Sequence, residues 1–115
     1  MRLAIPIWEN KVSPLLDTAS KFLIIEVDKR KEISRYITPV VKQDLSERCQ
    51  QLKENGVDIL ICGALSRKLA NMIITSGIIV FPEISGAVDE IIRAYSKGTL
   101  LSPKFSLPGH GRKGE

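Results

Sequence analysis

Between Asp44 and Gly98 the chain alternates three amphipathic stretches with two short apolar runs, and a glycine closes each stretch: Gly56, Gly77 and Gly98. This rhythm constrains the fold more than any other feature. Strands separated by helices must run parallel, because a parallel pair needs a crossover of about a dozen residues, and such crossovers are right-handed. Residues 44–55 place Leu45, Cys49 and Leu52 at i, i+4 and i+7, the inward face of a helix that Gly56 ends. Residues 57–61 predict a short strand. Ser66 is suited to cap a helix over 67–76 with Leu69 and Ile73 inward. Residues 78–81 predict another strand, stopped by Pro82. Ser85 is placed to cap a third helix, with Asp89 and Glu90 near its positive end and Val88, Ile91, Ile92 and Tyr95 facing the core.

The first half has a different pattern. Residues 2–7 form an apolar run suited to a buried strand, with Pro6 near its end. Residues 8–19 hold Asn10, Ser13, Pro14 and Asp17 and read as a loop. Residues 21–28 are rich in β-branched and aromatic types, and 32–38 alternate more weakly. With Lys29-Arg30-Lys31 turning the chain between them, they predict an antiparallel hairpin with an edge strand. The expected architecture is α/β: a five-stranded mixed sheet, three antiparallel strands followed by αβαβα, flanked by helices. It resembles the ribonuclease H-like architecture. A 115-residue chain with a 43% hydrophobic fraction can bury one such core without staples. The reading is one domain over 1–101 and a flexible basic tail over 102–115, with Pro103, Pro108 and several glycines.

Charge placement excludes some functions. Of the net +4, residues 97–115 hold Lys97, Lys104, Arg112 and Lys113 against Glu115, so the body is nearly neutral. Aromatics are 5%, and no lysine or arginine stripe recurs at helical spacing, which argues against a nucleic-acid partner. No apolar run approaches the roughly 20 residues of a membrane span. No secretory h-region follows Met1-Arg2, so a cytoplasmic protein is expected. There is no CxxC, HExxH, phosphate-loop or dinucleotide fingerprint. Nuclease chemistry on this architecture needs clustered carboxylates for two metal ions. The first strand has no acid, and Asp58 stands at the wrong end of its strand.

Ligands of open α/β sheets bind outside the carboxyl ends of the strands. Three segments should converge there: Trp8-Glu9-Asn10, Cys62-Gly63-Ala64-Leu65-Ser66 and Pro82-Glu83-Ile84-Ser85-Gly86. The last two feed helix N-termini, which receive anions. Cys62, Gly63, Ser66, Ser85 and Gly86 are therefore the candidate binding residues. Cys62 has two readings: a thiolate ligand whose pKa an electropositive loop lowers, or a small buried residue closing the core. Cys49, on the face of Leu45 and Leu52, reads as core. His110, the single histidine, lies in the tail as a solvated residue or a weak ligand. With no histidine in the body, no nucleophile–base pair can be assembled, and a non-catalytic binding domain is expected. Glu9 with Glu83 is the one acid/base pair an enzyme could use.

Several segments together resemble a known family. Leu3-Ala4-Ile5-Pro6-Ile7 is similar to its first strand. Val12-Ser13-Pro14, Asp17-Thr18-Ala19 and Phe22 are similar to the loop that follows. Gly56-Val57-Asp58-Ile59-Leu60-Ile61-Cys62-Gly63 resembles the fourth strand, and Ser76-Gly77-Ile78 leads into the fifth. Gly86-Ala87-Val88-Asp89-Glu90-Ile91-Ile92 through Gly98-Thr99-Leu100 resembles the last helix. This is the dinitrogenase iron-molybdenum cofactor biosynthesis domain family, and the resemblance covers roughly 1–101. It implies a ribonuclease H-like fold and a carrier of iron-sulfur or iron-molybdenum cofactor precursors, inside or outside nitrogenase assembly. Metallocluster donor and acceptor proteins would be its partners. The chain departs from family habit in having Leu15 after Pro14, where a histidine is frequent, and a tail reduced to Gly109-His110-Gly111. The glycine-rich stretch after the fourth strand is altered to Ala64-Leu65-Ser66.

A conventional [4Fe–4S] site takes four thiolates, and this chain has two cysteines. Either a homodimer contributes Cys62 from each chain, or a preassembled cluster docks labilely, with Cys62 the main ligand and His110 a weak second. The competing reading is a metal-free anion- or nucleotide-binding interaction module at Ser66 and Ser85–Gly86.

Overall fold

The computed structural model describes residues 1–41 and 44–100; the tail 102–115, His110 included, lies outside the described residues. Strand β1 (Arg2–Trp8) turns at Glu9–Asn10 into a two-residue strand β2 (Lys11–Val12), pairing Ile7 with Val12 and Trp8 with Lys11. A 3-10 turn (Leu16–Thr18) leads to the hairpin of β3 (Lys21–Asp28) and β4 (Lys31–Pro39). Lys29 and Arg30 between them take φ of 52° and 69°, the left-handed pair that a two-residue hairpin loop demands. Helix α1 (Leu45–Glu54), β5 (Ile59–Ile61), α2 (Arg67–Thr75), β6 (Ile79–Phe81) and α3 (Val88–Lys97) follow.

The sheet order is β4-β3-β1-β5-β6, with β2 against β1. β3 is antiparallel to β1 and β4, whereas β5 and β6 run parallel to β1. The described sheet thus has six strands, not five. Along β1, β5 pairs only with Leu3 and Ala4, which leaves the upper half of β1 open on that side for β2. The stretch read as loop supplies that strand because Glu9 accepts a φ of 57° and folds Lys11 back.

The pleat separates two cores. Ala4, Phe22, Ile24, Leu60 and Cys62 meet Cys49 and Leu52 of α1 and Leu69 and Ile73 of α2. On the opposite face Leu3, Ile5, Ile25 and Ile61 meet Val88, Ile91 and Ile92 of α3. β1 is buried on both sides, which is why it reads as an unbroken apolar run. β4 is the sheet edge, and its Ile33 and Ile37 are 63% and 57% exposed.

The start of α2 behaves as the sequence suggests: Ser66 Oγ accepts from Leu69 N at 3.2 Å. At α1 the cap is Asp44, which accepts from the amides of Ser46 and Glu47. The start of α3 departs from the expectation. Ala87, not Ser85, is the N-cap of α3, with no side-chain bond. The amide of Val88 donates instead to the carbonyl of Asn10 at 2.9 Å. A backbone group of the β1–β2 turn supplies the acceptor that a local serine was expected to provide. None of the described helices is long and apolar enough to cross a membrane.

Candidate functional site

The three strand-end segments do converge, and backbone hydrogen bonds lace them together. Val12 N donates to Gly86 O at 3.0 Å, Ala64 N to Pro14 O at 2.9 Å, and Leu16 N to Ala64 O at 2.9 Å. Glu83 N reaches Gly63 O and Ile84 N reaches Cys62 O, both at 2.9 Å. Gly63 is buried at this junction. A Cβ there would stand 2.8 Å from the carbonyl oxygens of both Ser13 and Pro14, so only glycine lets these loops close.

Closure changes the meaning of several candidates. Cys62 is fully buried beneath the junction, among the residues of the first core. Burial first, and the charge of Asp17 second, push its thiol up to about 12. This is the opposite of the lowered pKa that a ligand thiolate would need, so the core reading of Cys62 describes the folded chain. A pH effect follows. The folded thiol keeps its proton to about pH 12, while the unfolded one loses it near 9.0. The stabilisation is complete below that lower value and is lost as pH rises toward 12. Urea midpoints from pH 7 to 10.5 should fall for the wild type by up to about 1.4 kcal/mol per pH unit beyond 9. Cys62→Ala should start about 1 kcal/mol less stable and lack that extra slope.

Ser66 begins α2 as expected, but its own amide donates to Asp17 Oδ1 at 2.8 Å. A carboxylate of this chain therefore already occupies the anion-favouring end of that helix. At α3, Ser85 and Gly86 are exposed, Asn10 holds the Val88 amide, and the first turn carries Asp89 and Glu90. Both helix starts thus carry acid of their own.

An open cleft of about 370 Å³ lies beside this junction. Ile7, Leu23 and Val88 give it apolar lining, with Glu9, Asn10, Asp89 and β4 residues 35–37 around them. Its size lies within the range of small-ligand sites. Arg35 is its cation. Its guanidinium donates to Glu32 through Nη2 at 2.7 Å and, through Nη1, to Asp89 at 3.3 Å. The bond to Glu32 raises the Arg35 pKa and lowers that of Glu32. Glu9 lines the cleft, whereas Glu83 is outside the lining; each has a left-handed φ, 57° and 62°.

Sequence reasoning passed over Arg35, Asp17 and Arg48. Arg48 is 2% exposed and donates through Nη1 to the carbonyls of Ala19 at 2.6 Å and Leu16 at 3.4 Å, tying α1 to the 3-10 turn. A signal existed for it: position 48 falls on the Leu45–Leu52 face, where an unaccompanied charge is anomalous. Arg35 and Asp17 had no such signal: Glu32 beside Arg35 is an ordinary local ion pair, and the contacts that place them at the site, Asp89 and the Ser66 amide, are 54 and 49 residues away.

Comparison with known proteins agrees with this architecture. A protein of Methanocaldococcus jannaschii, MJ0580, is 28% identical over 105 residues, covering 87% of this chain and 89% of its own length. The crystal structure of PH0822 superimposes with a TM-score of 0.83 at 20% identity, covering 89% of this chain and 96% of that one. The apo form of the orange protein from Desulfovibrio gigas gives 0.73 at 16% identity, over 88% and 91%. These two structures share the fold. The family model described as dinitrogenase iron-molybdenum cofactor matches residues 1–98, and across nearly the whole described fold this chain belongs to that family.

Proposed function

We propose that the protein is a non-catalytic carrier that accepts a preassembled iron-sulfur or iron-molybdenum cofactor precursor and passes it from a donor to an acceptor protein. Membership of the cofactor family over residues 1–98 is the observation that carries this reading. An apo form of the orange protein on the same fold accords with it. The donor set favours docking of a finished cargo over a resident cluster. Among the described residues no three His, Cys, Asp or Glu side chains come together to hold a metal, and both cysteines are buried. A homodimer sharing Cys62 would have to open both cores, so the docked arrangement is preferred. The cleft between the Glu9–Asn10 turn, α3 and β4 is the concavity we assign to the cargo. That no carboxylate cluster forms among the described residues favours a binding role over nuclease chemistry on this sheet. The metal-free anion module has less support, because Asp17 and the acids of α3 already stand at the helix starts.

The test is anaerobic mixing with a preassembled, thiol-ligated iron-sulfur cluster, followed by desalting and iron counting. Wild type should emerge coloured, Cys62→Ala should take up iron within about twofold of it, and Arg35→Glu should take up several-fold less. Colourless wild type would overturn the carrier reading. Loss of uptake in Cys62→Ala with an unshifted melting curve would return the ligand role to Cys62.

A further inference from the structure

Arg35 lies in the cleft with an acid on either side, and the two acids hold it differently. Glu32, on the same strand β4, faces the guanidinium with both carboxylate oxygens: Oε1 accepts from Nη2 at 2.7 Å, and Oε2 accepts from Nε. Such a two-point pair fixes the plane of the head. Asp89, from the first turn of α3, is held at one point, its Oδ1 accepting from Nη1 at 3.3 Å. Its side chain is 74% exposed. A long, single, exposed ion pair contributes little and exchanges readily with whatever competes for it. Asp17 gives the contrast, since its Oδ1 takes the Ser66 amide at 2.8 Å in a part-buried setting. Arg35 and Asp89 both line the cleft, so exchange at Nη1 takes place on the cleft wall.

Among the described lining residues Glu9 and Asp89 are acids and Arg35 is the cation, so an anion meets no excess of positive charge in the cleft. The fork toward Glu32 takes Nε and Nη2. Nη1 is the remaining corner of the head, and an anion reaches it by replacing Asp89. Apolar Ile7, Leu23 and Val88 on the same lining lower the local dielectric and strengthen a charged bond formed there. We propose that Asp89 is a built-in competitor for Arg35: it holds Nη1 until an anionic group of the cargo takes its place, and it lowers the affinity for that cargo so that the cargo can be passed on. This rests on the carrier reading and on the cleft as its site, and it adds the charge class of the cargo and the residue that tunes its release. Thiol-ligated iron-sulfur clusters are anions and fit that class. A carrier must release as well as capture, and a carboxylate that returns to Arg35 favours release without any rearrangement of the fold.

Anaerobic equilibrium titration with preassembled clusters that share a core and differ in capping thiol tests this. Capped by mercaptoethanol the cluster is an anion; capped by aminoethanethiol, whose tail is an ammonium, it carries net positive charge. Asp89→Asn should bind the anionic cluster roughly threefold tighter than wild type, the scale of an exposed ion pair, and Arg35→Gln roughly fivefold more weakly. The gain from Asp89→Asn should vanish in the Arg35→Gln background. Glu90→Gln removes the same charge from the same turn, outside the cleft lining, and should leave the affinity unchanged. The cationic cluster should bind wild type more weakly than the anionic one. Equal binding of the anionic cluster by wild type and Asp89→Asn would overturn the proposal and leave the carrier reading standing. A gain that persists without Arg35, or that Glu90→Gln matches, would overturn it as well, since either is general repulsion. Tighter binding of the cationic cluster would overturn the anionic class. If no variant takes up either cluster, the carrier reading falls and this inference falls with it.

Discussion

Arg48→Ala should lower the melting temperature by roughly 15 °C, the largest effect of any single side-chain truncation we expect. The guanidinium is 2% exposed and serves the carbonyls of Leu16 and Ala19. Leu16 O keeps the amide of Ala19 as a donor at 3.2 Å, whereas Ala19 O loses its short bond. An orphaned buried acceptor costs about 1–3 kcal/mol, and the vacated volume adds a cavity term. A total of about 3 kcal/mol corresponds to that shift in a domain of this size. Burial pulls the Arg48 pKa down while the charge of Asp17 raises it, so holding the cation has its own cost. Arg48→Met removes that cost and keeps most of the volume, and should lose less than half as much. Urea melts of the three proteins check this. Equal losses for alanine and methionine would mean that the carbonyls, not the packing, dominate.

Gly63→Ala should destabilise by about 2 kcal/mol or more, although it adds one methyl group. The added carbon meets two backbone oxygens at 2.8 Å, and backbone cannot rotate aside as a side chain can. The loop must move, and with it the bonds from Ala64 N to Pro14 O and from Leu16 N to Ala64 O. Amide exchange should accelerate first at Ala64 and Leu16 and reach the β1 centre only with global unfolding. A variant as stable as wild type, with those two amides still protected, would show that the junction has slack its geometry does not suggest.

Much of the fold was legible because its determinants are local. Leu45, Cys49 and Leu52 face the core of α1 as their spacing requires, Ser66 caps α2, and Gly98 ends α3 at φ 73°. The KFLIIEVD run is β3, and the weakly alternating segment after it is the edge strand β4. The misses have one kind of cause. β2 exists because Glu9 adopts a conformation usually left to glycine, so composition alone marked the stretch as loop. Ser85 lost the capping position because Asn10, far away in sequence, brought a carbonyl to Val88.

The candidate site was legible as a place and not as a chemistry. Its three segments meet where the strand order puts them, at the carboxyl ends of β1, β5 and β6. The roles of its members depended on pairings across the chain. Asp17 reaches the amide of Ser66 across 49 residues, and Arg35 reaches Asp89 across 54. Cys62 stands at a strand end as expected, yet the Ser13–Pro14 backbone closing over Gly63 leaves it no exposure.

The amino-acid sequence alone determined the α/β class, the order and approximate position of the three described α-helices, the parallel half of the sheet, and the family resemblance. These follow from periodicity, caps and turn residues, whose energies act within a few positions of one another. Tertiary structure alone decided that Cys62 is sealed, that Asp17 holds the start of α2, and that Arg48 is interior. It also decided that Arg35 lines the cleft. A buried polar group takes whichever partner the fold brings near, and desolvation depends on everything packed around it. No local pattern encodes either quantity.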